Sequence, residues 1–256
     1  MGTVRVLVLR SPGANCDLES QYAWELAGAH ADRVHINRLK EKPSLLQQYQ
    51  ILMIPGGFSY GDDVAAGKIL ALELQAVLND ALVDFRDAGK LILGVCNGFQ
   101  ALIKAGLLVP PDAEGIPATL AANASGRFED RWVCLKAHAS RCPFLAGYEL
   151  LQLPIAHGEG RFICRSSQVL EELHRQGQIV LTYVDSEGRP GPYPVNPNGS
   201  QLDAAGICDA TGRVLGLMPH PERHVLGLQH PQWTRRGYAR PGDGLRLFQN
   251  AVRYFS

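Results

Sequence analysis

Charge imbalance, paired-cysteine motifs and long apolar runs are all missing from this sequence. Lys plus Arg number 25 and Asp plus Glu number 25, so the formal net charge is zero. Nothing in that balance draws the chain to nucleic acid or to an anionic membrane. The opening MGTVRVLVLRSPG carries only a short apolar run with arginines inside and after it, too short for a secretory core or a membrane span. Val6 also stands where a myristoylation signal needs Ser or Thr. The expected location is the cytoplasm. None of the six cysteines forms a CxxC pair, and in that compartment scattered thiols stay reduced. Cys134, His138 and Cys142 are spaced by four, which on a helix would stack soft ligands. However, RWVCLKA reads as a strand, Pro143 follows, and a fourth ligand is missing, so no metal is expected. No P-loop is present, which sends any ATP chemistry to another chain. Repeats, heptads and a separating linker are absent too, so 1–256 is expected to be a single domain.

What the chain does have is an α/β texture. VRVLVLR (4–10) reads as a strand closed by Ser11-Pro12-Gly13, and 17–30 as a helix stopping near Gly28. RVHINRL and YQILMIPGG read as the next strands, the second almost wholly apolar and therefore central in a parallel sheet. Across 69–89, Leu70, Leu74, Val77, Leu78, Ala81, Leu82 and Phe85 keep a helical period up to Gly89. KLILGVC is a fourth strand, and NGFQALIKAG a helix ended by Gly106. The pattern predicts a doubly wound, mostly parallel sheet flanked by helices, with working residues beyond the carboxyl ends of its strands. After residue 110 come RWVCLKA, LLQLPIAHGEG, IVLTYVD, AAGICD and RVLGLMPH with fewer helices between, predicting additional antiparallel strands in the C-terminal half. Residues 186–200 are a Pro/Gly-rich loop. The C-terminal DGLRLFQNAVRYF is a helix with Leu245, Phe248, Val252 and Phe255 on one face and Asp243 as its expected cap.

Chemistry concentrates at LILGVCNGFQ, where a strand enters G-x-C-x-G and a helix follows. Flanking glycines let the backbone pass close beneath a strained residue, so Cys96 would stand above the sheet as a nucleophile. The helix start favours its thiolate, and the N–H of Asn97 would point where an oxyanion forms. A packing cysteine at a strand end is the bland alternative. The best candidate for the base such a nucleophile needs lies in GLMPHPERH, although a surface turn would read much the same: His220 and Glu222 lie two apart in a segment that Pro219 and Pro221 hold extended, so both face one side. A carboxylate beside an imidazole fixes its tautomer and stabilises its charged form. In MIPGGFSYGDD a strand runs into Pro55-Gly56-Gly57, where the N–H of Gly57 would be a second oxyanion donor, or the glycines simply make a tight turn. His157 and Glu159 in IAHGEGR form a rival i, i+2 pair without the prolines. Cys16, after PGAN, begins a helix and reads as structural or loop-positioning. The segment 225–242, with Trp233, Arg235, Arg236, Tyr238 and Arg240, reads as a partner contact or a solvated basic loop.

G-x-C-x-G-x-Q, an upstream PGG loop and a late H-P-E together resemble the class I (triad) glutamine amidotransferases. The phrases PGANCD, PGGFSYGD, GVCNGFQALIKAGLL, PIAHGEGR and MPHPERH extend the resemblance over nearly the whole chain. They narrow it to members that feed ammonia to a separate synthetase converting formylglycinamide ribonucleotide to its amidine in purine biosynthesis. The resemblance implies Cys96 as nucleophile, His220 as base and proton donor, and Glu222 as its orienter. It further implies Gly57 and Asn97 as oxyanion donors and Gln100 as a contact to the bound glutamine. It implies no cofactor in this chain, ATP and Mg used by the synthetase subunit, and a small accessory subunit as a further partner. A related cysteine amidase or peptidase, or a glutamine-sensing subunit without catalysis, stays open on sequence alone.

Overall fold

The computed structural model describes residues 2–138, 141–236 and 240–256. In chain order the elements are β1 (Arg5–Arg10), α1 (Asp17–Leu26), β2 (His30–His35), α2 (Ile36–Glu41) and β3 (Ile51–Ile54). Next come α3 (Lys68–Glu73), α4 (Asn79–Asp87), β4 (Leu91–Val95), α5 (Asn97–Lys104), β5 (Ala118–Ala121), β6 (Glu129–Ala137) and β7 (Leu150–His157). β8 (Arg161–Cys164), α6 (Ser167–Arg175), β9 (Ile179–Val184), β10 (Ala204–Cys208), β11 (Val214–Leu217), α7 (Trp233–Arg236) and α8 (Leu245–Arg253) complete the chain.

Among the described residues nine strands form one sheet in the order β2-β1-β3-β4-β11-β10-β9-β6-β7, and β5 and β8 form a separate antiparallel pair. Pairing is parallel from β2 through β11 and antiparallel from β11 to β7. The α/β class and the antiparallel C-terminal extension follow the sequence pattern. β3 and β4 are buried at every position, as strands covered on both faces must be. From β1 the chain steps outward to β2, and from β3 it steps the other way to β4, so right-handed crossovers set α1 and α3–α4 on opposite faces. α1 packs against α8, with Trp24 edge-on to Phe248 at 4.8 Å between ring centroids, and α5 packs against α3. No helix among the described residues is long and apolar enough to cross a membrane.

Outside the site, local structure differs from the sequence reading in three places. RVHINRL is not one strand: the chain leaves β2 at His35, whose Nδ1 accepts the N–H of Asn37 at 3.2 Å and caps α2. Residues 69–89 are not one regular helix, because a π-helical segment, Leu74–Leu78, joins α3 to α4. Asp243 does not cap α8; its carboxylate accepts the N–H of Gln152 at 2.8 Å, tying the helix approach to β7. Cys134 lies on β6 and accepts from Gln152 Nε2, so the four-residue Cys/His spacing builds no helical face.

Candidate active site

The sheet brings three loops side by side. β4 lies between β3 and β11, so the Cys96 elbow is flanked by the PGG loop on one side and the His220 segment on the other. Cys96 has φ 50° and ψ −105°, a conformation that costs an L-residue energy and is held only where its surroundings over-determine it. Here its N–H donates to the Leu217 carbonyl at 2.8 Å and its carbonyl accepts from Gln100 N at 3.0 Å. The glycines on either side serve close approach. A Cβ on Gly98 would sit 2.0 Å from the Ile54 carbonyl oxygen, and one on Gly94 would sit 2.4 Å from Leu102 Cδ1. α5 can therefore start directly against β3 and β4.

His220 is extended at φ −101° and anchored by its N–H to the Pro154 carbonyl at 2.8 Å. The chain then turns rather than staying extended, because Pro221 opens a 3-10 turn over Pro221–Arg223. That turn delivers Glu222 beneath the ring, with Oε1 2.6 Å from Nδ1. Both side chains are buried, and His220 Nε2 and Glu222 Oε2 have no hydrogen-bond partner. Burial alone would disfavour the charged imidazole. The Glu222 carboxylate, Cys96 and Cys16 outweigh it, and the ring is held well above the ordinary histidine range.

Gly57 lies at φ 140°, where only glycine is comfortable, and a Cβ there would meet Asn15 N at 2.7 Å. It bridges to Ala14, so the PGG loop is braced by residues 13–16. Neither the N–H of Gly57 nor that of Asn97 has an acceptor among the described residues. The Asn97 side chain is a clamp: Oδ1 accepts Ser59 N at 3.0 Å, and Nδ2 donates to Asp62 at 3.0 Å and to Gln100 Oε1 at 2.9 Å. Gln100 Nε2 donates to the Glu159 carbonyl at 2.6 Å. Both polar ends of Gln100 thus tie Asn97 to the 157–161 turn.

His157 is brought to the site, although not as part of a pair with Glu159. Its Nδ1 meets Asn123 Oδ1 at 3.0 Å, while the Asn123 amide donates to the His157 and Arg127 carbonyls, each at 2.8 Å. Asn123 can therefore only accept from Nδ1–H, which leaves Nε2 buried and bare. Burial, then the charge of His220, pushes this imidazole down to about 4, so it stays neutral. Glu159 turns away to Lys104 at 3.8 Å and Ala66 N at 3.3 Å. Cys16, read as structural, comes within 4.8 Å of donor atoms of both His220 and Glu222, a grouping of metal-ligand type in which Glu222 already engages the imidazole. Asn123, Asp62 and Cys16 were not legible as site residues, since each reaches the site through contacts distant in sequence. Beside the 225–242 segment, Trp132 packs edge-on to His224 and His230 at 4.9 and 4.5 Å. Trp233, Arg235 and Arg240 are exposed there, whereas Tyr238 and the Arg236 side chain lie outside the described residues.

Fold and site together define a glutamine amidotransferase. The model of the CobB/CobQ-like glutamine amidotransferase domain matches residues 3–255. The chain is 49% identical over 256 residues to phosphoribosylformylglycinamidine synthase subunit PurQ of Dehalococcoides mccartyi, covering 99% of this chain and 98% of that one. It is 45% identical over 267 residues to the protein of that name from Methanococcus maripaludis, covering 98% and 97%. Among solved structures, PurLQS from Thermotoga maritima superposes with a TM-score of 0.77 at 32% identity, covering all of both chains. The chain belongs to the family of phosphoribosylformylglycinamidine synthase PurQ subunits.

Proposed function

We propose that this chain hydrolyses L-glutamine through a Cys96 thioester and supplies the ammonia to an ATP-dependent synthetase subunit that forms formylglycinamidine ribonucleotide. The observation that carries this reading is the pairing of a strained cysteine with a buried imidazole. Nδ1 of that imidazole is fixed by Glu222 at 2.6 Å, and its Nε2 has no hydrogen-bond partner. With Nδ1–H given to the carboxylate, Nε2 is the atom that takes the thiol proton, and the ring, raised above the ordinary histidine range, keeps it as the imidazolium.

Cys96 Sγ attacks the carbonyl carbon of the glutamine side-chain amide as its proton passes to His220 Nε2. The N–H groups of Gly57 and Asn97 hold the resulting oxyanion. Collapse of the tetrahedral species breaks the C–N bond, and His220 returns the proton to the leaving nitrogen, releasing ammonia. Water then attacks the thioester with His220 as base, which frees glutamate and restores the thiol. Gln100 belongs to the proposed glutamine-binding set, where its side chain holds Asn97 and the Glu159 carbonyl. ATP and Mg are used by the synthetase subunit, and a small accessory subunit completes the assembly. The PurLQS structure from Thermotoga maritima supports a multi-subunit enzyme. The proposed compartment is the cytoplasm, where thiols such as the six free cysteines stay reduced.

Replacing Cys96 with Ser in the assembled enzyme tests the reading. Glutamine-dependent synthesis should be lost while synthesis driven by added ammonia persists. Surviving glutamine-dependent turnover would overturn the nucleophile assignment.

A further inference from the structure

A second thiol faces the catalytic imidazole, and nothing in the reaction above uses it. Cys16 stands at the head of α1 and is 1% exposed. Its N–H is tied to the Gly56 carbonyl at 3.3 Å. The missing side chain of Gly56 opens the space in which the groups converge. A Cβ placed there would lie 2.8 Å from His220 Cε1, 3.2 Å from Cys16 Sγ and 3.5 Å from Cys96 Cβ. The sulfur is held on two other sides. Its S–H donates to Asn15 Oδ1 at 3.3 Å, and Arg223 Nη2 donates to it at 3.1 Å. Arg223 is in turn fixed by Glu19 at 2.9 Å. With its proton directed to Asn15, the thiol presents lone-pair density, not a proton, toward the imidazole.

We propose that Cys16 is a positioning residue for His220, its sulfur bracing the ring in register with Cys96 and favouring the charged imidazole formed when Cys96 gives up its proton. The inference rests on the reading of Cys96, His220 and Glu222 as the reacting set. Cys16 is not a competing nucleophile, because burial pushes its thiol up to about 11 and keeps it protonated. The titratable and charged groups around His220 are Glu222 and Arg223 from its own turn, Cys96 from the β4–α5 elbow, Cys16 from the head of α1, and His157 from the end of β7. Glu222 and the two sulfurs favour the imidazolium, and His157, being neutral, adds no charge against it. Removing the Cys16 sulfur therefore lowers the pH at which His220 loses its proton.

The experiment compares Cys16→Ala and Cys16→Ser with the parent chain, assembled with the synthetase subunit, by glutaminase kinetics across pH. Losing the sulfur that braces the imidazole predicts a kcat about two- to tenfold lower in the alanine variant, with KM for glutamine unchanged. The alkaline limb of the kcat profile should move to lower pH by about half a unit to one unit. Serine keeps an acceptor on a smaller atom and should fall between the two. If the alanine protein does not fold, the Cε1–H NMR titration of His220 in the serine variant is the decisive reading, and it should move down relative to the parent. Coincident profiles or titrations, or equal losses in both variants without a shift, would overturn the role of Cys16. Cys96→Ala is run alongside to separate the two claims. Glutamine hydrolysis surviving there would overturn the triad reading itself, whereas its loss with unshifted Cys16 variants removes only this inference.

Discussion

His220 and His157 show how two neighbouring buried imidazoles are driven apart. Glu222 Oε1 fixes the His220 tautomer, so Glu222→Gln keeps the shape yet can present N–H to Nδ1 and turn the ring to the wrong tautomer. On triad precedent kcat should drop on the order of 10²- to 10⁴-fold with little change in KM, measured as glutamate release; a kcat within a factor of two or so would contradict the orienting role. His157 makes the fold sensitive to acid. Its folded value, about 4, lies below the ordinary histidine value of about 6.5. The unfolded chain therefore takes up a proton first as pH falls. Its stabilising contribution is complete above that ordinary value and is lost progressively down to about 4. His220, shifted the other way, contributes fully at low pH and loses its share only as pH rises through its raised value. Melting temperature against pH should fall less steeply across the acid window in His157→Asn than in the parent; parallel curves would contradict the neutral, buried assignment. The grouping of Cys96, His220 and Glu222 was legible because each motif is local. Cys16 was not, because its partner Arg223 is 207 residues away.

At the scale of elements, the site depends on how closely α5 meets β3 and β4. Gly98→Ala would force a Cβ to 2.0 Å from the Ile54 carbonyl oxygen, immediately before the Pro55-Gly56-Gly57 loop. Overpacking of this kind costs on the order of 1–3 kcal/mol, and each kcal/mol lowers Tm by roughly 2–4 °C in a domain of this size. Glutaminase activity should fall with it, because the shift separates the N–H groups of Gly57 and Asn97. Unchanged Tm and activity would show that the contact is soft. Strand and helix identities were largely readable, since β3 and β4 are apolar throughout and end at the Pro-Gly-Gly turn or the elbow. The β2–α2 boundary was not, because Ile36 and Leu39 suit either state and the cap comes from a histidine ring. Asp243 misled for a related reason: a good capping residue found a tertiary acceptor role on Gln152 instead.

Across the whole molecule one sheet runs from the parallel half into the antiparallel half through β11, which pairs with β4 on one side and β10 on the other. We propose that the chain unfolds as a single unit, giving one calorimetric transition; two resolved transitions would contradict it. The sequence announced both halves, whereas the return of β11 to the centre depends on long-range pairing that no local pattern records. That return sets His220 beside Cys96.

The most direct test is covalent capture by a glutamine-like electrophile, followed by peptide mass analysis. The account predicts one adduct per chain, on the peptide carrying Cys96, and none when Cys96 is replaced by Ala. An adduct on Cys16 or another cysteine, or labelling that survives the Cys96 replacement, would contradict it.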